Sequence, residues 1–332
     1  MAVQGTELQN SPSDHWAPLR AFLLTQEIVL LMITIVVIFV MSIQTDKFLT
    51  VDNLLNQGRL ITETGLLALP MTYIIITGGI DLSVGSIAGL SAIILGYCWH
   101  NYGFPLELAI LTAILAGGLA GFVNGLLITR LSVPPLIMTL ATLTFYRGLA
   151  EGIALARSVT GYPDWFYKLG QGDMLGIPSQ LYLLMIATII SAIILSRTTF
   201  GRGLYAIGNN ELAARFSGIP VTRIKLAIYT FSGLMAGLAG YILVSRVSTT
   251  RSDMGSGWEL IAIAAVVLGG TSINGGTGSI GGTVIGLVLI QLLKNGLALT
   301  GVTGDATIVV IGTVLILSTL LNIFIQRRTH AV

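Results

Sequence analysis

Ten apolar runs of roughly bilayer-crossing length follow one another along the chain, at 24–44, 56–77, 84–102, 106–129, 134–156, 180–197, 224–245, 259–274, 279–299 and 305–325. A helix needs about 20 mostly apolar residues to cross a membrane. Lipid offers backbone amides no hydrogen-bond partner, so runs of this length satisfy theirs internally, as helices. Composition agrees: 54% of the 332 residues are hydrophobic and 10% charged, against about 25% charged in a soluble domain. The net charge of +2 is too small to argue for a nucleic-acid partner. The expected fold is an all-α polytopic membrane helix bundle of about ten transmembrane helices.

Residues 1–20, within a tail drawn at 1–23, are polar and lack the basic start and short apolar core of a signal peptide. They are expected to form a cytoplasmic tail, with 24–325 as the membrane domain and 326–332 as a second cytoplasmic tail. Basic residues favour this orientation. Arg197, Arg202, Arg215, Arg223 and Lys225 concentrate after the sixth run, and Arg327 and Arg328 lie at the C-terminus. Cys98 is the single cysteine and reads as a small buried hydrophobe.

Forty glycines suit a tightly packed bundle, because small residues let helix backbones approach where no water drives them together. Gly117, Gly121 and Gly125 recur every four residues, as do Gly233 and Gly237, so each set shares one helix face. They read as helix–helix seams and carry no information about substrate.

Two segments break the apolar pattern: TGGIDLSVGSIAG at 77–89 and LGGTSINGGTGSIGG at 268–282. Each follows an apolar run, opens near a GG pair, and returns to apolar sequence after GSI. The correspondence suggests an internal repeat of half-chains, as many transporters have. With ten spans both breaks fall on the same side of the membrane, which makes the repeats parallel. Each break leaves backbone groups that must be buried in protein or line a cavity. Asp81 or Ser83 could cap the helix beginning near Val84 or act as a buried hydrogen-bond hub. Contact with a polar substrate, or a gating role, is the alternative for Asp81, since an ionisable group at membrane depth is a functional candidate. Arg147 and Glu151, four residues apart, could form a structural ion pair, or Arg147 could line the path. Asn124 is expected to bond between helices.

Neither break contains GxxxxGK[ST], so the glycines are not a nucleotide loop. His15, His100 and His330 lie in tails or near a run's end, with no HExxH or GxSxG, and no catalytic set is expected. The loop at 198–225, TTFGRGLYAIGNNELAARFSGIPVTRIK, holds a short helix-compatible element, NELAARFS. Asn209 or Asn210 could cap it, and Gly218 with Pro220 would end it. On physical grounds it could transmit motion from a soluble partner or be an ordinary interfacial loop.

AIGNNELAARFSGIPVTRIK resembles the coupling segment of bacterial ABC-importer permeases of the monosaccharide class, which serve ribose, xylose, galactose, rhamnose and autoinducer-2. The matching positions are Ala206, Gly208, Asn210, Ala213, Ala214, Ser217, Gly218 and Ile219. The two breaks resemble that family's signatures, and NGLLITRLSVPPLIMTLATLTFYRG its fourth-to-fifth-span region. The VS…RSD stretch in LVSRVSTTRSDMGSG is nearest the autoinducer-2 and rhamnose branches. The likeness covers nearly all of 25–325, through four motifs in order.

The resemblance implies that residues 206–219, with Glu211 and Arg215 supplying charge, dock into a cytoplasmic ATPase. It also implies that Gly78, Gly79, Asp81, Ser83, Asn124, Arg147, Gly269, Gly270 and Asn274 lie along the translocation path. ATP and Mg would sit on the ATPase and none on this chain. A periplasmic or lipid-anchored sugar-binding protein and a second permease copy, identical or homologous, would complete the importer in the bacterial inner membrane. An ion-coupled secondary sugar transporter is the competing reading. It would need acidic groups at mid-membrane to bind the coupling ion, and Asp81 and Glu151 are the only plausible ones.

Overall fold

The computed structural model describes residues 26–302 together with 304, 306, 309, 310, 312, 313 and 316. Both expected tails and most of the tenth run lie outside these residues. Each of the first nine runs contains a helix: α1 (Gln26–Gln44), α2 (Val51–Ile76), α3 (Val84–His100), α4 (Leu106–Arg130) and α5 (Pro135–Ala154) come first. A short helix α6 (Asp164–Gln171) precedes α7 (Ser179–Arg197). The segment at 198–225 gives α8 (Thr199–Asn209) and α9 (Glu211–Phe216), and α10 (Val221–Val247), α11 (Trp258–Leu268) and α12 (Ile280–Leu299) follow.

Among the described residues six helices are long and apolar enough to cross a membrane: α1, α2, α4, α7, α10 and α12. The other three expected spans depart from this for identifiable reasons. Arg147, Glu151 and three threonines lower the apolar character of α5. Helix α3 has 17 residues and α11 has 11, so α11 rises only about 16 Å, roughly half the hydrocarbon thickness. It stops at Leu268, not near 274, because Gly270 takes a left-handed φ of 96°.

Helix α2 is the centre of the bundle, buried continuously from Ile61 through Thr77. Helices α1, α4 and α7 are peripheral and turn apolar side chains outward, among them Phe39, Leu119 and Ile190. An apolar exposed face on a spanning helix is what lipid solvates. The chain is a multi-pass membrane protein.

The glycine seams are the tightest contacts. Helices α4 and α10 pack so closely that a Cβ on Gly121 would lie 2.9 Å from Gly233 N, and one on Gly237 would lie 2.8 Å from Ile114 Cα. Real Cβ atoms do not approach backbone this closely, so these positions admit glycine alone.

At the end of the bundle where α5 finishes and α7 begins, the 155–178 segment folds into a cap that periodicity did not reveal. Strand β1 (Val159–Thr160) pairs antiparallel with β4 (Thr249–Thr250), and β2 (Asp173–Met174) with β3 (Ile177–Pro178). Stacked rings of Trp99, Tyr162 and Phe166, with centroids 4.5 Å apart along the stack, fix the cap to α3. Nearby, Glu63 is 1% exposed and pairs with Arg246 at 2.6 Å. The expectation that Asp81 and Glu151 are the only intramembrane acids is thereby corrected. Glu63 sits in the polar first half of α2 and is neutralised by an arginine 183 residues away, a pairing that no local spacing discloses.

Substituting Gly121→Ala should lower the thermal midpoint of the detergent-solubilised protein, since overpacking a close contact costs about 1–3 kcal/mol. Gly152→Ala, where a Cβ meets nothing within 4 Å, should leave it unchanged. Equal midpoints for the two variants in a melting assay would contradict the seam.

Candidate translocation and coupling site

Helix α2 ends where Gly78 turns left-handed (φ 76°) and the Thr77 hydroxyl donates back to Ile74 O at 2.8 Å. Four residues later Asp81 is fully buried. Its Oδ1 accepts from Ser83 N (3.0 Å) and Ser83 Oγ (2.6 Å), and its Oδ2 accepts from Ser232 Oγ (3.1 Å). Ser83 Oγ in turn accepts from Asn124 Nδ2 at 2.8 Å, and Asn124 Oδ1 accepts from Tyr146 OH at 3.2 Å. One carboxylate thus ties the first break to α4, α5 and α10. Of the two structural roles open to it, Asp81 takes the hub: Ser83 is the N-cap of α3 without a side-chain cap bond. Asp81, Ser83 and Asn124 are each 0% exposed, so they brace the break from inside the bundle.

Arg147 departs from expectation. Its Nη1 donates to the carbonyls of Ser252 and Met254, and Glu151 is exposed, with no ion pair to Arg147 among the described residues. The guanidinium turns inward over Gly89, where a Cβ would lie 2.9 Å from it. It therefore anchors the RSD loop instead of pairing along its own helix.

The second break leaves α11 through Gly269 and Gly270 and loops back with Gly275 and Gly276 at φ 87° and 80°. Ser279 then caps α12, its hydroxyl accepting from Gly282 N at 2.9 Å. The two breaks meet. Gly276 N donates to Ile76 O at 2.9 Å, and the Thr72 and Thr283 hydroxyls bond each other at 2.8 Å one turn away. Gly78 and Asn274 are both exposed at this junction.

Helix α8 closes the assembly. A Cβ on Gly208 would collide with Ile76 O and Gly276 N, and Tyr205 OH donates to Gly278 O at 2.8 Å. Gly208 therefore faces the breaks, and Ala206 is half-buried. The capping residue is Asn210, whose Oδ1 accepts from Ala213 N at 2.9 Å. Ala214 is buried at 4%, while Glu211 is held by Lys225 at 2.6 Å and by Arg215 at 3.3 Å. Gly218 turns at φ 81°, after exposed Ser217 and before half-buried Ile219. The outward side belongs to Leu212 (68% exposed), Ala213 and Phe216 (86%). Leu212 was missed from sequence. Its spacing of four from Phe216, which puts two large apolar residues on one helical face, was the available signal.

Asp81→Ala leaves three buried donors without an acceptor, at about 1–3 kcal/mol for each group stranded, and Asp81→Asn retains a carbonyl oxygen for some of them. The alanine variant should melt well below wild type and the asparagine variant between the two. Wild-type melting of Asp81→Ala would remove the hub.

The family described as branched-chain amino acid transport system / permease component matches residues 53–319. The chain is similar to the ribose import permease protein RbsC of Bacillus subtilis, 44% identical over 289 residues, 86% of this chain and 89% of that protein. It is also similar to the Haemophilus influenzae RbsC, 38% identical over 269 residues (80% and 83%). The autoinducer 2 import system permease protein LsrD of Escherichia coli K12 is 40% identical over 258 residues (76% and 78%). No solved structure matches. With two interrupted segments joined inside a multi-pass bundle and these relatives across most of its length, the chain belongs to the family of transport-system permease components, as a membrane subunit of an ATP-binding-cassette importer and not an enzyme.

Proposed function

We propose that this chain moves a monosaccharide or a related small sugar-like molecule into the bacterial cell across the inner membrane. A separate cytoplasmic ATPase, holding ATP and Mg, drives it through α9. A periplasmic or lipid-anchored sugar-binding protein delivers the substrate, and a second permease, identical or homologous, supplies the other half of the pore. Both termini lie on the cytoplasmic side, with the breaks and α8–α9. The observation that carries this reading is the joining of α8 to both breaks through Gly208. A push on α9 from below reaches α8 across Asn210, and α8 bears on the ends of α2 and α11 directly.

Leu212 and Phe216 offer the ATPase an apolar pair to seat in a groove, and interface energy concentrates in such buried anchors. Glu211 and Arg215 shape the helix by their mutual bond and the Lys225 pair. The sugar-type relatives favour a sugar over a branched-chain amino acid as cargo. The ion-coupled alternative gains no support. Both Asp81 oxygens accept protein hydrogen bonds, and the charge of Glu63 is balanced by Arg246.

Leu212→Asp with Phe216→Asp should leave insertion and melting intact but cut ATPase co-purification and ATP-driven ribose uptake more than about tenfold, as loss of an interface anchor does. Gly208→Ala should behave oppositely, retaining the ATPase while uptake falls, because the added methyl pries α8 from the breaks. Unchanged ATPase recovery in the double variant would defeat the docking claim.

A further inference from the structure

A second polar region lies about 20 Å along α2 from the junction, the rise of the thirteen residues between Glu63 and Ile76. It is a cavity of about 400 Å³ between α2, the last turn of α10, the start of α11 and the last turns of α12. That volume is in the range of small-molecule sites, about 300–1,000 Å³. The helices that meet there are those whose other ends carry the coupling segment and the two breaks.

The lining has capacity that the protein leaves unused. Glu63 is 1% exposed, and only its Oε1 is engaged, by Arg246; its Oε2 has no hydrogen-bond partner among the described residues. Asn295 is 8% exposed, and its Nδ2 likewise has none. Buried polar atoms without partners cost free energy, so each calls for an explanation. Both side chains belong to the lining of the same cavity, with these two atoms lying just behind its wall. Gln291 spends one amide hydrogen on Gln57 Oε1 at 2.7 Å, and a carboxamide has two donors and two acceptor lone pairs in all. Trp258 supplies an indole on the same lining.

The geometry points to a binding site within the permease itself for a neutral polyhydroxylated molecule of sugar size, on the side of the bundle opposite the coupling segment. Each hydroxyl both donates and accepts, which matches a wall that carries the carboxamides of Asn56, Gln57, Gln291 and Asn295. The indole suits a ring's C–H face. Lys294, without a carboxylate partner among the described residues, adds further N–H donors. A branched-chain amino acid would need an aliphatic pocket for its side chain, and Leu60 and Ala298 are the only aliphatic residues in the lining. The inference rests on the proposed import of a sugar and assigns it a waypoint.

The test uses the purified permease–ATPase complex, with ribose as probe and leucine as control. Ribose should quench Trp258 fluorescence saturably at millimolar levels, and the quench should vanish in Trp258→Phe. Gln291→Ala and Asn295→Ala should each weaken it about tenfold, the upper range for a lost hydrogen bond. In proteoliposomes the same two variants should lose ribose uptake while binding-protein-stimulated ATP hydrolysis persists. Absence of a saturable quench, its survival in both variants, or an equal quench by leucine overturns the site. If Asn295→Ala fails to fold, Gln291→Ala, on a partly exposed residue, decides alone. A wild-type complex that quenches but imports no ribose under ATP counts against the import reading and leaves the site standing.

Discussion

Backbone groups with no water to turn to are what this structure is organised around. A helix that ends inside the bundle leaves amides and carbonyls that lipid cannot satisfy, and the two glycine-rich breaks are such places. The answer is mutual: the last carbonyl of α2 receives an amide from the second break, and the carboxylate of Asp81 holds the first break to the rest of the bundle. Removing either would expose the other to the same penalty. The close seams of α4 against α10 follow from the same need, because Ser232 and Asn124 reach the Asp81 network only if their helices nearly touch.

The distribution of charge has a comparable logic. Two ionisable groups inside the bundle are answered from distant parts of the chain: Arg246 answers Glu63 and the carbonyls of Ser252 and Met254 answer Arg147. Such pairs add little net stability over an apolar substitute, but breaking one costs about 3–5 kcal/mol. They tie helices to particular neighbours more than they strengthen the fold. The bundle is thus pinned by polar contacts and filled between them by apolar packing around α2.

Much of this was legible in sequence because it is local. Run length disclosed nine helices, four-residue glycine spacing disclosed the seams, and the GG…GSI correspondence disclosed two breaks on one side. What escaped was long-range. Arg147 has a plausible partner four residues away and ignores it for carbonyls more than 100 residues on. Glu63 lies in a run that reads as ordinary, yet it forms the buried ion pair. The coupling segment was visible as a motif, but its division into an inward half around Gly208 and an outward half at Leu212 and Phe216 depends on what lies beneath it. A motif records that residues matter together and not which way each one faces.

The contact of Gly208 with both breaks bears on how such proteins could be recombined. Segments at 72–83, 199–210 and 268–283 touch through main-chain atoms at Ile76, Gly208 and Gly276 and through the Thr72, Thr283 and Tyr205 hydroxyls, in a shape set by the glycine turns of the two breaks. A chimera that took the cytoplasmic loop from a relative while keeping its own interrupted helices would join surfaces that had not been shaped to one another. The three stretches, scattered over 212 residues of chain, form one heritable block, and grafts that respect it should succeed where loop exchange alone does not.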